Sequence, residues 1–212
     1  MDYRAFTVTS PKNKLITMDV IPGHFTNSTS HLTHYLDMSR LKFNALIARD
    51  VAREIAVPYL SNHLVETIVC MEEMDVIGAY LAEELIENGM IVNSERDIHV
   101  LTPRINVNGQ LIFQQSTERF IDNKHIILLV ASAASGMTIH RTMDCLKYYN
   151  GKLVGISAIF TAAPKVSGYE IHALFNSQDI QGYQVYRPSQ CVLCQAGHKL
   201  EAMVGYDGYT RF

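Results

Sequence analysis

Apolar residues recur at three- and four-residue spacing over residues 39–57, SRLKFNALIARDVAREIAV, with Leu41, Ala45, Ala48, Ala52 and Ile55 on one face and arginines and acids opposite. This period predicts a surface helix, closed by Pro58, whose nitrogen carries no proton for a further turn. Residues 67–70 (TIVC) and 126–130 (IILLV) are instead short unbroken apolar runs, as expected of strands buried on both faces. Each leads into a helical period, 77–88 stopping at Gly89 and about 137–149 stopping at Gly151. Two more apolar strands follow at 153–160 and 171–175. Residues 98–113 read as a hairpin around Asn108-Gly109, since Asn-Gly supplies the positive φ angles of a tight turn. Continuous apolar strands alternating with helices imply an α/β domain with a mainly parallel sheet.

Composition narrows this picture. The 212 residues, 48% hydrophobic and 18% charged, suit a single domain over 1–212. A net charge of -3 without a lysine or arginine block argues against a surface for long nucleic acid, and leaves room for a small local anion site. No run approaches the roughly 18 apolar residues of a membrane span, and no apolar segment follows the first residues, so a cytoplasmic location is expected. In that setting Cys70, Cys145, Cys191 and Cys194 suggest thiols or a metal rather than a disulfide framework.

The candidate chemistry sits after the 126–130 strand, in the small-residue stretch 131–138, ASAASGMT. In an open α/β sheet, ligands lie beyond the carboxyl ends of the strands, where a loop feeds the next helix. Small side chains let backbone amides approach an anion, Gly136 relaxes the turn, and Ser135 and Thr138 add hydroxyl donors where the helix dipole favours negative charge. The same stretch is equally readable as a packing turn with Ser135 as helix N-cap. A Walker A reading lacks its lysine, and no Gly-x-Gly-x-x-Gly follows a strand.

Ser135-Gly136-Met137-Thr138 resembles the second half of the phosphoribosyl-pyrophosphate loop of type I phosphoribosyltransferases, where a buried strand leads through two acids to Thr-Gly-x-Thr. Residues 34–56 are similar to the N-terminal helix region of orotate phosphoribosyltransferases, and 65–85 to their pyrophosphate-loop strand, loop and helix. Residues 98–113 take the place of their hood, and CVLCQAGHKL (191–200) resembles their Cys-x-Leu-Cys-x-x-Gly tail, here about 188–212. The likeness spans about residues 31–200.

It implies the type I phosphoribosyltransferase fold, an open, mainly parallel sheet flanked by helices with a small hood hairpin. It also implies transfer of ribose 5-phosphate from phosphoribosyl pyrophosphate, with Mg²⁺, in pyrimidine nucleotide metabolism. Ala134, Ser135, Gly136, Met137 and Thr138 would hold the 5-phosphate of that substrate or of a nucleoside monophosphate, and Met71, Glu72 and Glu73 would form the pyrophosphate loop. Arg104 of the hood would clamp a phosphate, from the partner subunit of a homodimer, and is equally readable as a solvated edge-strand arginine.

The two acids that hold the ribose hydroxyls in the family have no counterpart. Their places fall on Val130 and Ala131, or on Ala131 and Ser132. Where the family has Gly-x-Glu-x-x-Gly, this chain has Cys70-Met71-Glu72-Glu73-Met74-Asp75. Each lost charge-assisted hydrogen bond is worth about 1.5–3 kcal/mol, so two weaken sugar binding on the order of 10²- to 10⁴-fold. A catalytically degenerate, phosphoribosyl- or nucleotide-binding regulatory module is therefore the alternative to a transferase.

Cys191-x2-Cys194 with His198 offers three zinc ligands without an evident fourth, and His31-x2-His34 is a polar loop pair, so no metal is assigned. Phe43, Tyr148 and Tyr149, at helical spacing, are expected in the core or an interface.

Overall fold

The computed structural model describes residues 3–61, 63–89, 93, 96–107, 110–205 and 208–212. The chain opens with strands β1 (Phe6–Thr9), β2 (Thr17–Thr26) and β3 (His31–Asp37), then helices α1 (Ser39–Phe43) and α2 (Ala45–Ala56). Next come β4 (Thr67–Cys70), α3 (Asp75–Asn88), β5 (His99–Leu101), β6 (Arg104–Ile105), β7 (Leu111–Ile112) and the single turn α4 (Gln115–Glu118). The second half runs β8 (His125–Ala133), α5 (Met137–Tyr148), β9 (Lys152–Thr161), β10 (Lys165–Val166) and β11 (Tyr169–Asn176). A tail supplies β12 (Val185–Tyr186), α6 (Val192–Gln195), β13 (Ala202–Gly205) and β14 (Gly208–Arg211).

The central sheet has the order β10-β11-β9-β8-β4-β5, parallel throughout except for the short edge strand β10. Side-chain alternation along β8 explains its unbroken apolar run. Ile127, Leu129 and Ala131 pack toward α2 and α3, with Ala48, Ala52, Ile77 and Leu81. Ile126, Leu128 and Val130 face the opposite layer, with Ile139, Cys145 and Leu146 of α5. Both faces are covered, so no polar position interrupts residues 126–131 of the strand.

The predicted 39–57 helix is two helices. Asn44 adopts an extended conformation (φ -88, ψ 112) that ends α1, and its side chain accepts the Ile47 amide to start α2. Asparagine is among the best N-caps, which is why the chain restarts there. Ala45 falls in the new first turn and is exposed rather than on the apolar face. Residues 34–37, read as the start of the helical region, close β3 instead.

The predicted 98–113 hairpin is also redistributed. Residues 99–101 join the central sheet as β5, parallel to β4, leaving only a two-residue-wide ribbon of β6 and β7. Asn108 and Gly109 lie outside the described residues. The layer over the cleft is a second sheet built from both ends of the chain, in the order β12-β3-β2-β13-β14 with β1 against β2. Ile21, Phe25, Leu32, Tyr35 and Ala202 form its small core. Among the described residues no helix is long and apolar enough to cross a membrane.

Candidate functional site

Strand β8 runs to Ala133, so Ala131 and Ser132 are ladder residues (Ser132 opposite Phe160) and the connecting loop shrinks to residues 134–136. Gly136 is the N-cap of α5 in the left-handed region (φ 73), where a Cβ would lie 3.2 Å from a Val166 methyl. Ser135 therefore does not cap the helix; its hydroxyl lies 3.5 Å from that of Thr29 in the β2–β3 turn. The first helical bond of α5 joins the His140 amide to the Gly136 carbonyl. Amides in the first turn before it have no intrahelical acceptor, and their end of the helix carries positive partial charge.

That helix end opens into a cavity of about 410 Å³. Its floor is Ala131 and Ser132 with residues 134–139; Lys42, Phe43, Glu72 and Glu73 form one wall; and residues 27–29, Met203, Val204, Gly205 and Gly208 of the second sheet roof it. The cleft thus lies beyond the carboxyl ends of the parallel strands, where such sheets bind ligands.

Glu72 enters this cleft from a strained turn. It and Glu73 have consecutive positive φ angles (56 and 62), a conformation costing non-glycine residues roughly 1–2 kcal/mol each. One carboxylate oxygen of Glu72 accepts the amides of Ala131 and Ser132, both at 3.0 Å, and the other accepts the Thr138 hydroxyl at 3.1 Å. Burial pushes its carboxyl above the ordinary range, against the pull of Ser132, Thr138, Ala131 and Lys42. The donors at the strand end are therefore already bound to an internal carboxyl group.

Lys42 completes the wall. Its ammonium donates to Glu73 at 2.8 Å and to the Glu72 carbonyl at 3.3 Å, with a side chain only 6% exposed. The sequence reading missed it, because a lysine beside Leu41 looks solvent-facing until the break at Asn44 turns α1 toward the loop. Arg141, exposed one turn into α5, is a second cation on the lining, also unmarked in the sequence.

No family model and no curated protein sequence matches the chain. Solved structures do. Leishmania donovani UMP synthase superposes with a TM-score of 0.54 at 17% identity, over 75% of this chain and 34% of that one. A phosphoribosyltransferase from Corynebacterium diphtheriae gives 0.51 at 14% identity, covering 76% and 89%. Trypanosoma brucei adenine phosphoribosyltransferase, in complex with AMP, pyrophosphate and ribose-5-phosphate, gives 0.52 at 11%, covering 76% and 78%. The fold is that of the type I phosphoribosyltransferases. The chain spans about a third of the UMP synthase length, and at these identities the likeness is one of fold, to which an activity does not follow automatically.

Within the phosphoribosyltransferase fold the predicted residues divide. Ala134, Ser135, Gly136, Met137 and Thr138 line the cavity together with Glu72 and Glu73. Met71 does not; its side chain is buried in the core layer on the α5 side of the sheet. Arg104 is exposed on β6, outside the lining, and Asp75 opens α3, accepting the Thr102 hydroxyl rather than facing the cleft. Phe43 is 57% exposed on the cavity wall instead of packing in the core, and Tyr148 is 83% exposed.

The cysteine pair finds partners that spacing did not reveal. His24, His31, Cys191 and Cys194 bring one ligand atom each to within 4.8 Å of one another. The His198 ring is not part of this group; its backbone carbonyl accepts from His24 Nδ1 at 2.9 Å. His34 stacks on Tyr183 at the cavity, ring centroids 6.0 Å apart.

Proposed function

We propose that the cleft binds a 5-phosphorylated ribose, as nucleoside monophosphate or phosphoribosyl pyrophosphate, and that it acts as a binding module with little transfer activity. The observation that carries this reading is the engagement of Glu72. Val130, Ala131 and Ser132 stand where the resemblance expects two acids, and the carboxylate that reaches them is bound to Ala131, Ser132 and Thr138. Glu73, the other described carboxylate on the lining, is paired with Lys42. A transferase needs negative charge beside the anomeric carbon as pyrophosphate leaves, and neither carboxylate is disposed to supply it. The phosphate retains the amide-rich start of α5, with Ser135 and Arg141 beside it.

Mg²⁺ fits this lining poorly. A hard cation requires oxygen ligands, and both described lining carboxylates are committed elsewhere, so no lining carboxylate would be available to hold the ion.

Phosphoribosyl transfer to a base, pyrimidine or other, is the second reading. It is supported by the names of the solved neighbours and by a cavity in the size range of small-molecule sites. Calorimetry with ribose 5-phosphate, UMP, AMP and phosphoribosyl pyrophosphate, beside an assay of pyrophosphate release with Mg²⁺ and a panel of bases, separates the two. Binding without turnover supports the module. Turnover at roughly 1 s⁻¹ or faster supports the transferase, and no binding at millimolar ligand removes both.

A further inference from the structure

We propose that His24, His31, Cys191 and Cys194 form a structural zinc site that fastens the tail of the chain to the β2–β3 hairpin and so holds the roof of the cleft. His24 lies near the end of β2, His31 opens β3, Cys191 is the N-cap of α6 and Cys194 lies within it. His24 Nε2 lies 3.4 Å from His31 Nδ1, 3.3 Å from Cys191 Sγ and 3.7 Å from Cys194 Sγ, and Cys194 Sγ lies 3.3 Å from His31 Nδ1. A tetrahedral zinc about 2.3 Å from sulfur and about 2.0–2.1 Å from nitrogen has edges of about 3.4 Å between nitrogens and about 3.5–3.6 Å between nitrogen and sulfur. Those four donor separations, 3.3–3.7 Å, stand near these edges, and all four atoms lie within 4.8 Å of one another. Pairwise thiol–imidazole hydrogen bonds would account for any one distance, but not for all four donor atoms converging on one centre.

The tautomer of His24 agrees. A backbone carbonyl can only accept, so Nδ1 carries the proton it gives to His198, and Nε2 presents its lone pair to the cluster. Two thiolates with two imidazoles in a tetrahedron select zinc among common divalent ions. Cys191, His24 and His31 are buried while Cys194 is exposed, so the site is closed by protein yet reachable by an ion.

The position gives the ion a task. Residues 27–29, between the two histidine ligands in sequence, and Met203, Val204, Gly205 and Gly208, beyond the cysteines, together roof the cavity. Strand β13 pairs in parallel with β2 over only two residue pairs, Ala202 with Phe25 and Met203 with Thr26. So short a ladder between chain ends is a weak clasp, and zinc cross-links the same two segments.

The test is metal analysis of the full chain purified without chelator, with hydrogen exchange before and after chelation. The expected result is about one zinc per chain, which Cys194→Ser and His31→Ala each weaken by more than about tenfold. His198→Ala keeps the carbonyl and should keep the metal. Co²⁺ should replace zinc and give the intense visible bands of a tetrahedral thiolate site, lost in Cys194→Ser. Chelation should speed exchange in β2, β3 and β13 while leaving β8 protected. Folded chain that carries no zinc and, once reduced, takes up neither Zn²⁺ nor Co²⁺ overturns the site, as does a Cys191–Cys194 disulfide in freshly isolated protein. Zinc that leaves without changing exchange in the second sheet overturns its fastening role.

Discussion

The Glu72 carboxyl group accepts the Ser132 amide at 3.0 Å, which ties a half-buried acid of the β4–α3 turn to the end of β8 on the floor of the cleft. The contact links a strained turn to the floor of the cleft, and it makes the charge of one side chain relevant both to stability and to anion binding.

Glu72→Gln should separate those effects. Its carbonyl can accept both backbone amides while its amide nitrogen donates to the Thr138 hydroxyl, so the shape survives without the charge. Burial raises the Glu72 carboxyl in the folded chain, so the folded state binds more protons than the unfolded state between the ordinary carboxylate pKa and the raised one. Wild-type stability therefore falls as pH rises through that window and levels above it. Urea unfolding should show this slope abolished in the variant, which should match or exceed the wild type at neutral pH. Above the raised pKa, where the wild-type side chain is ionised, affinity of the variant for ribose 5-phosphate should be about tenfold higher, or about 1.4 kcal/mol. A variant less stable at neutral pH, with unchanged affinity, would mean that the ionised form is what the turn requires.

Lys42→Met should act in the opposite direction. The methionine retains the apolar stem within α1 but removes the ammonium that bonds Glu73 and the Glu72 carbonyl. The lost charged hydrogen bonds should lower stability by about 1.5–3 kcal/mol, and ligand affinity should fall because the wall loses its buried cation. Unchanged calorimetry and unfolding curves would mean that the ammonium contributes to neither stability nor binding.

Acid sensitivity should come partly from Glu66, on the far side of the sheet entry. Burial alone would raise its carboxyl, but Lys124 at 2.9 Å and His125, through ring and amide, outweigh it and hold it at about 2, below its ordinary 4.5. A depressed carboxylate stabilises the fold above its unfolded pKa, and that contribution is lost as pH falls from about 4.5 toward 2. Since Lys124 is 38% exposed, solvent screens the pair, and about 1–2 kcal/mol is the expected size. Glu66→Gln should flatten the unfolding free energy over that window; an unaltered acid limb would assign it to other carboxylates.

The sequence made the central sheet legible because burial on both faces leaves strands such as 126–130 without polar interruption. It made the second sheet illegible for the converse reason. Strands β2 (TMDVIPGHFT) and β3 (HLTHYLD) mix polar and apolar residues, and the partner β13 lies some 177 positions away, with Ala202 opposite Phe25. The break at Asn44 was missed because the apolar period continues on either side of it. At the site, Gly136 and Glu72 were visible as residue types, but the carboxylate's partners, Ala131 and Ser132, depend on β4 and β8 lying side by side. The histidine partners of Cys191 and Cys194 were hidden by the same distance, since His24 is 167 residues from Cys191.

Gly136 offers the sharpest test of the cleft itself. At φ 73 it occupies a conformation that an L-residue enters at a cost of roughly 1–2 kcal/mol, and an added Cβ would meet a Val166 methyl at 3.2 Å. Gly136→Ala should therefore destabilise by about 1–2 kcal/mol in urea unfolding. Gly136→Val should do more, since its branches press further on Val166. Relief of that strain by rotating the turn would re-aim the amides at the start of α5, so phosphate affinity should drop in Gly136→Ala by more than the stability loss accounts for. Pairing Gly136→Ala with Val166→Ala distinguishes the two causes: the smaller neighbour removes the clash but leaves the φ strain. If the double variant regains stability but not binding of ribose 5-phosphate, the left-handed glycine is needed for the anion-binding shape of the loop. If both variants bind as the wild type does, the turn only packs α5 onto the sheet, and a ligand would have to be sought elsewhere in the cavity.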